Sequence, residues 1–384
     1  MPHAGLGSNA FKPEPEGAAT LFKHVSEDKR CPSSSPRGRR QDAGACKRDT
    51  VAVDLALQGG GSHGAYTWGV LDRLLEEPWL EIDGISGTSA GAMNAAVLAY
   101  GYSVGGRRGA RSALESFWRR VSHVAKSSQI QCGPLDLFLG RWSLDRSPAH
   151  IAFDMLSRLF SPDDPDSSGW NPLRCLLTEG IDFAQLTKSP IKLFITVINV
   201  ASGRPRVFRN SDLCPDALIA SACLPTMFQA IEIEGEAYWD GGYSGNPTIT
   251  PLVRECVSQD TIIIPLNPIE RRGTPRSASE ILNRLNEVAF NAVLLKELGM
   301  IALLRQVADP GDEEGRKWAG MRVHSVDNEF LRELNASSRL IAEWDFLCML
   351  RDEGRRCAEA FLVRNADDLG RRSTLQLDAL LQGV

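Results

Sequence analysis

No stretch of about 18 consecutive apolar residues runs anywhere through this chain, so no transmembrane helix is expected. Met1–Ala18 has no apolar core of the kind a secretory leader needs, so no signal peptide is expected. The nine cysteines are odd in number and contain no Cys-x-x-Cys, a pattern that favours reduced thiols and a cytoplasmic setting over a disulfide framework or a zinc site. An excess of basic charge is also missing. The net charge of −5 argues against general nucleic-acid binding, and no nucleic-acid partner is expected. Histidine is scarce too, with six in 384 residues, and this matters for catalysis below.

With 43% apolar and 24% charged residues, there is material for one large core or two smaller ones. Residues 1–50 are rich in Pro, Ser, Gly and charge without a periodic apolar face, and read as a disordered tail. Its small basic cluster, Arg37, Arg39 and Arg40, is read as a solvated run.

Two glycine-bracketed turns follow, each between an apolar strand and a helix. Val53–Leu57 is a buried-strand run, then come Gly59, Gly60 and Gly61, then a helix with Trp68, Val70, Leu71, Leu74 and Leu75 on its apolar side. Ile82–Ile85 is a second strand. It ends in Gly87-Thr88-Ser89-Ala90-Gly91, and a small-residue helix over Ala92–Tyr100 starts there. In Gly-x-Ser-x-Gly the serine sits on a strained turn that exposes its Oγ, beside a helix N-terminus that favours negative charge. Acyl transfer also needs preorganised N–H donors for a tetrahedral oxyanion. Glycines can aim such donors, and a parallel strand–helix–strand unit brings both turns to one sheet edge. Gly60 and Gly61, with the N–H of Ala90, are therefore candidate oxyanion-hole donors. A dinucleotide reading of Gly59-x-Gly61-x-x-Gly64 with Asp83 is weaker, because Asp83 opens the second strand where that motif needs an acid closing it.

A serine nucleophile needs a proton acceptor. Most serine hydrolases use histidine, but only His324 follows a third motif, Asp240-Gly241-Gly242, in the order that an α/β-hydrolase would require. His324 lies in the alternating run Met321–Val326, which looks like an edge strand, so a structural role is favoured.

The motifs Gly59-Gly60-Gly61-Ser62-His63-Gly64, Gly87-Thr88-Ser89-Ala90-Gly91 and Asp240-Gly241-Gly242 with Asn246-Pro247 resemble those of the patatin-like phospholipases, over roughly residues 51–270. The resemblance implies a three-layer α/β/α fold with a mostly parallel sheet and a Ser89–Asp240 catalytic dyad. It places the oxyanion hole at Gly59, Gly60, Gly61 and Ala90, with Gly64, Gly87, Gly91, Gly241 and Gly242 supporting the motifs. Lipid acyl esters, met at a membrane surface or as monomers, are the implied substrates, with no cofactor and no metal. His63 departs from the family, which often carries Arg or Lys there. Trp239 and Tyr243 would give Asp240 a partly apolar setting, and burial would raise its basicity.

Between the motifs, residues 101–180 read as a helical lid or insert. Gly105, Gly106 and Gly109 break its pattern; Leu114, Phe117, Trp118 and Val121 follow at helical spacing. Phe117 and Trp118 are read as core. Phe138, Trp142, Phe153, Met155, Leu156, Phe160 and Trp170, with the loop Ser161–Gly169, stay open between packing layer and acyl groove. Ile191–Val200 and Thr261–Leu266 read as central strands, Arg206–Phe208 as a neighbour, Leu218–Ala222 as a short helix, and Ile231–Ile233 with Ala237–Trp239 as a hairpin about Gly235. Residues 271–384 form a mainly helical C-terminal region. Ala278–Gln306 carries an apolar stripe (Ile281, Leu282, Leu285, Val288, Leu294, Leu298), taken as core-facing, and Asn328–Met349 and Glu353–Arg364 are further helices. This region is also where a homo-oligomer contact or a lipid-surface contact would form. Three other readings remain: a Ser-His-Asp hydrolase using His324, a nucleotide binder, and an inactive lipid-binding scaffold hinted at by His63.

Overall fold

The computed structural model describes residues 48–125, 172–225, 228–271, 273–309 and 311–377. The tail up to residue 47, the aromatic run 138–170 and the loop 161–169 lie outside the described residues.

The chain opens with β1 (Val51–Leu57), α1 (Gly64–Leu74), β2 (Leu80–Gly87) and α2 (Ala90–Ala125). Next come α3 (Pro172–Gly180), α4 (Phe183–Leu186), β3 (Lys192–Asn199), β4 (Pro205–Arg209) and α5 (Pro215–Ser221). A hairpin of β5 (Ile231–Ile233) and β6 (Glu236–Asp240) precedes α6 (Thr250–Glu255) and β7 (Asp260–Ile264). The C-terminal region holds α7 (Ala278–Val307), α8 (Glu313–Ala319), β8 (Arg322–Ser325), α9 (Phe330–Glu333) and α10 (Trp344–Asn365).

The eight strands form one sheet in the order β5-β6-β3-β2-β1-β7-β8, with β4 paired to β3. The run β3-β2-β1-β7-β8 is parallel, and β4, β5 and β6 supply the antiparallel pairings. Parallel strands joined by helices bury both faces, which is why β1 and β7 read as near-continuous apolar runs. The fold is thus the three-layer α/β/α arrangement with a helical C-terminal region. That region is welded to the sheet: α10 packs on α1, with the Trp68 and Trp344 rings 6.0 Å apart and Arg351 over the Trp68 ring at 5.2 Å. Phe346, Leu350, Ala358 and Phe361 belong to the same core as Leu55 and Leu57.

The pairing of β3 decides where the third motif goes. β4 runs along one edge of β3, from Phe194 to Ile198. The opposite edge is shared: β2 ends against Ile195, and β6 takes over at Val197, which faces Asp240. Asp240 therefore arrives just beyond the carboxyl end of β2, where Ser89 sits. The hairpin that delivers it turns through Glu234 and Gly235, both at positive φ (56° and 81°), as a tight two-residue turn matched to strand twist requires.

Several elements differ from the sequence reading. The small-residue helix does not stop at Tyr100. It runs on to a kink at Gly105 and Gly106, whose backbone is non-helical, so the pattern breaks at the expected glycines and a second helical stretch follows as far as Ala125. The helix before Leu224 starts earlier, at Pro215, whose ring suits the first helical turn. Asn328–Met349 is not one helix: α9, a 3-10 turn over Ala336–Leu340 and an extended break precede α10, which absorbs both the end of this segment and Glu353–Arg364.

The stripe on α7 is buried only in its later part, at Leu294 and Leu298. A capping box of Ser277 and Glu280 starts that helix as expected, yet Ile281, Leu282, Leu285 and Val288 are exposed. The face turned to the protein carries Glu287, Asn291, Leu294 and Leu298. Its first two members are polar and are satisfied there. Arg271 and Arg284 hold Glu287 at 2.7 and 3.1 Å, and Asn291 accepts from Gln58 at 3.1 Å.

Candidate active site

Ser89 sits between β2 and α2 with φ 55°, a left-handed backbone that an L-residue adopts only under constraint. The constraint is visible. The Ser89 N–H donates to Ser221 Oγ at 2.9 Å, and Ser221 donates to the Thr196 carbonyl at 2.8 Å. Gly91 is needed because a Cβ there would lie 2.2 Å from the Leu57 carbonyl oxygen. Ser89 thus projects from the carboxyl edge of the sheet at the first turn of a long helix.

Asp240 ends β6 and is 3% exposed. Burial raises its carboxyl to about 7, against the pull of the Gly242 N–H and of a hydrogen bond with the Ser89 side chain. The Gly242 N–H donates to Oδ1 at 2.7 Å, and the Asp240 N–H donates to the Cys223 carbonyl at 2.8 Å. Trp239 is half-buried, and Tyr243 and Phe290 form a ring pair with centroids 5.0 Å apart. Cys223, beside Asp240, is pushed up to about 12 by burial and by the Asp240 charge, so its thiol stays protonated and inert.

Gly59, Gly60 and Gly61 line the same cavity as Ser89, Ala90 and Asp240. They are not equivalent. The Gly59 N–H donates to Asn246 Oδ1 at 2.7 Å and is therefore spent. Gly61 adopts φ 58° and starts a 3-10 turn over Gly61–His63. Among the described residues no acceptor takes the N–H of Gly60, Gly61 or Ala90. Three donors beside the cavity thus have no acceptor among the described residues, while the Gly59 N–H is held by Asn246.

The cavity has a volume of about 630 Å³ and a predominantly apolar wall that includes Met93, Phe117, Trp118, Leu176, Leu224 and Phe290. Phe117 and Trp118 are buried, as core residues should be, and they also form part of this wall. Trp118 Nε1 donates to Asn94 Oδ1 at 3.0 Å, while Asn94 Nδ2 donates to the carbonyls of Gly64 and Ala90 at 3.0 and 3.1 Å. One buried amide therefore ties both glycine motifs to the cavity wall. Gln58 does similar work: its Oε1 accepts from the N–H groups of Leu266 and Asn267, both at 2.9 Å, and its Nε2 donates to the Asn246 carbonyl at 3.0 Å. Gln58, Asn94 and Ser221 escaped the sequence reading, since no local pattern marks a polar residue whose partners come from distant elements.

His324 stands elsewhere. It lies fully buried in edge strand β8, with Nε2 3.0 Å from Asp260 Oδ1 and Nδ1 3.1 Å from Thr374, and it does not line the cavity. Burial would raise the Asp260 carboxyl, but hydrogen bonds from His324, Arg322 and the Gly370 N–H prevail and hold it at about 2. Asp260 opens β7 opposite Val53, at the amino edge of the sheet, so this cluster lies at the other edge from Ser89. Asp83 is also turned away from the glycine turn: it pairs with Lys192 and accepts from the N–H groups of Val257 and Ser258. A ribose cannot reach it there, which removes the support for a dinucleotide site.

Among the described residues, one group of three has the spacing to share a metal ion: Asp54, Asp83 and Cys256, with donor atoms within 4.8 Å of one another. Burial and the Asp83 charge push Asp54 up to about 8, and burial raises the Cys256 thiol well above its usual range. At neutral pH both hold protons, so the donor set suits a hydrogen-bonded cluster better than a cation.

A three-layer sheet carrying a glycine-rich turn and a strained serine turn over one apolar cavity defines a class of α/β proteins. The patatin-like phospholipase family model matches residues 55–253 of the 384, and the chain belongs to that family. A search of curated proteins found no match. Among solved structures, VipD from Legionella pneumophila is similar at 16% identity and a TM-score of 0.33, covering 80% of this chain and 67% of its own. The heterodimeric ExoU–SpcU complex from the type III secretion system of Pseudomonas aeruginosa is similar at 19% identity and a TM-score of 0.27, covering 95% of this chain and 84% of the matched one. Similarity this distant transfers no activity.

Proposed function

We propose that this chain is a serine lipid acyl hydrolase, a carboxylic ester hydrolase that works through Ser89 and Asp240. One observation carries the reading: a buried carboxyl raised to about 7 lines the same apolar cavity as a serine on a strained turn. A carboxylate at its ordinary pKa is too weak a base for a serine hydroxyl; one raised to about 7 is poised for proton transfer at neutral pH.

Ser89 Oγ attacks the ester carbonyl carbon while Asp240 takes the hydroxyl proton. The carbonyl oxygen gains the negative charge, and the N–H groups of Gly60, Gly61 and Ala90 receive it, helped by the N-terminus of α2. Collapse breaks the carbon–oxygen bond to the alcohol, which leaves with the proton from Asp240. Water then attacks the acyl-serine, Asp240 takes its proton, and collapse releases the acid and returns the proton to Ser89. The apolar wall holds the acyl chain, at roughly 25 cal/mol per Å² of chain surface removed from water.

We read residues 51–270 as the catalytic domain, with the helical C-terminal region completing the cavity wall. Among the described residues no helix is long and apolar enough to cross a membrane, so lipid would be met as monomers or at a bilayer surface. The test is hydrolysis of p-nitrophenyl butyrate by wild type, Ser89→Ala and Asp240→Asn. Both variants should lose about a thousandfold or more in kcat while remaining folded. Retention of activity by either one refutes the dyad.

A further inference from the structure

The cavity wall contains a cation that no motif announces. Arg339 is carried by the 3-10 turn Ala336–Leu340 and lines the cavity with Gly60, Gly61, Ser89 and Asp240. The turn is pressed against the glycine motif: a Cβ on Gly61 would lie 2.5 Å from the Arg339 carbonyl oxygen. The Arg339 side chain is half-buried, and its Nε is enclosed without a hydrogen-bond partner.

Among the described residues no carboxylate forms an ion pair with Arg339. The acid nearest in effect is Glu287, and it is already held by Arg271 at 2.7 Å and by Arg284 at 3.1 Å. Three guanidinium groups therefore surround one carboxylate. A charge enclosed in this way is costly unless an anion partners it, and a planar guanidinium suits phosphate oxygens.

His63 explains how the cation is held. The Ser338 hydroxyl donates to the Asn335 carbonyl at 2.6 Å, so the 2.7 Å contact with His63 must be a donation from the His63 Nε2–H. Its Nδ1 is then bare, and no partner meets it. Burial, with Arg339 and Arg271 nearby, holds the His63 pKa well below its usual value, so the ring is neutral at pH 7. The residue standing where the family often has Arg or Lys thus supplies a tether, and the cation comes from the residue after the one it tethers.

We propose that Arg339, held in place through the His63–Ser338 hydrogen bond, is the anion-recognising residue of this cavity and makes it prefer acyl esters that carry a phosphodiester over neutral ones. The preference in turnover rests on the acyl-hydrolase reading above; the binding of the phosphodiester does not.

Dihexanoylphosphatidylcholine and 1,2-dihexanoylglycerol carry the same two esters and differ in the phosphodiester. Calorimetric titration of Ser89→Ala protein with each, below micellar concentrations, should show the phospholipid binding about tenfold tighter. Arg339→Gln in that background should bring the ratio close to one, and Arg339→Lys should restore part of it. His63→Ala should lower the ratio while keeping the cation, and thermal melts confirm folding of each variant. Wild type and Arg339→Gln should show the same change in the ratio of kcat/KM for the two lipids. A ratio unchanged by Arg339→Gln, or equal losses on both lipids, overturns the proposal. So does inorganic phosphate binding that depends on Arg339 without any discrimination between the lipids, which would mark a free-phosphate site. If wild type hydrolyses neither lipid but the binding ratio still depends on Arg339, the acyl-hydrolase reading fails and the anion site stands.

Discussion

The Gly59 N–H donates to Asn246 Oδ1 at 2.7 Å, and this bond joins the first glycine motif to the residue that follows the third. It occupies one of the three consecutive glycine donors and, in the proposed mechanism, leaves the other two to the oxyanion. Asn246 is 1% exposed, so its loss would leave that N–H without water to replace it. Asn246→Ala should lower kcat about tenfold or more with little change in KM, and should cost about 1–3 kcal/mol of stability. Steady-state kinetics on p-nitrophenyl butyrate and chemical denaturation check both; an unchanged kcat would show that Gly59 needs no anchor.

Ser221 plays the corresponding part for Ser89, the proposed nucleophile. Its hydroxyl accepts the Ser89 N–H and passes its own proton to Thr196. Ser221→Ala should destabilise the fold by about 1–3 kcal/mol, because it orphans an N–H on a strained turn. It should also reduce kcat. Ser221→Thr keeps the hydroxyl and should recover most of it; failure of Thr to rescue would separate the packing of Ser221 from its hydrogen bond.

Asp240 makes a pH prediction with two faces. As the proposed base it must be ionised, so kcat/KM should rise with pH through about 7 and level off above it. Stability moves the other way. The folded carboxyl at about 7 lies above the ordinary 3.8, so between these values the folded state keeps a proton that the unfolded chain releases. Stability should therefore fall as pH rises from about 4 to about 7 and change little from this group beyond. Asp240→Asn should be inactive yet more stable than wild type at pH 8, by on the order of a few kcal/mol, with the gap closing below pH 4. Parallel denaturation curves at pH 4 and pH 8 decide this; a destabilised Asn variant at pH 8 contradicts it.

His324 is the control for the conventional triad. Buried between Asp260 and Thr374, it should matter to folding and not to chemistry. His324→Ala leaves Asp260 short of a hydrogen bond and opens a cavity, and should cost about 2–4 kcal/mol. The folded fraction should hydrolyse p-nitrophenyl butyrate within about twofold of wild type. Loss of activity in folded His324→Ala protein would return histidine to the mechanism.

The sequence by itself determined what is local. Glycines at fixed offsets between apolar runs favour tight strand-to-helix turns, so β1, β2 and the strained turn at Ser89 were legible from spacing alone. The alternating run at Met321–Val326 likewise announced an edge strand, and β8 is one. Tertiary structure decided which faces are covered and which donors remain free. The apolar stripe of α7 was legible, but its burial was not, because burial depends on what the rest of the chain lays against a helix. Here that is Arg271 and Gln58, which pair with Glu287 and Asn291 of the helix. The Gly59 donor looked the same as its neighbours until Asn246 came to it from the segment after β6. Asp240 meets Ser89 because β6 takes up the edge of β3 where β2 stops, and Arg339 reaches the cavity because a turn in the C-terminal region docks on Gly61. Each of these is a contact between segments far apart in the chain, set by how the sheet is ordered and what packs on it, and no local periodicity encodes that.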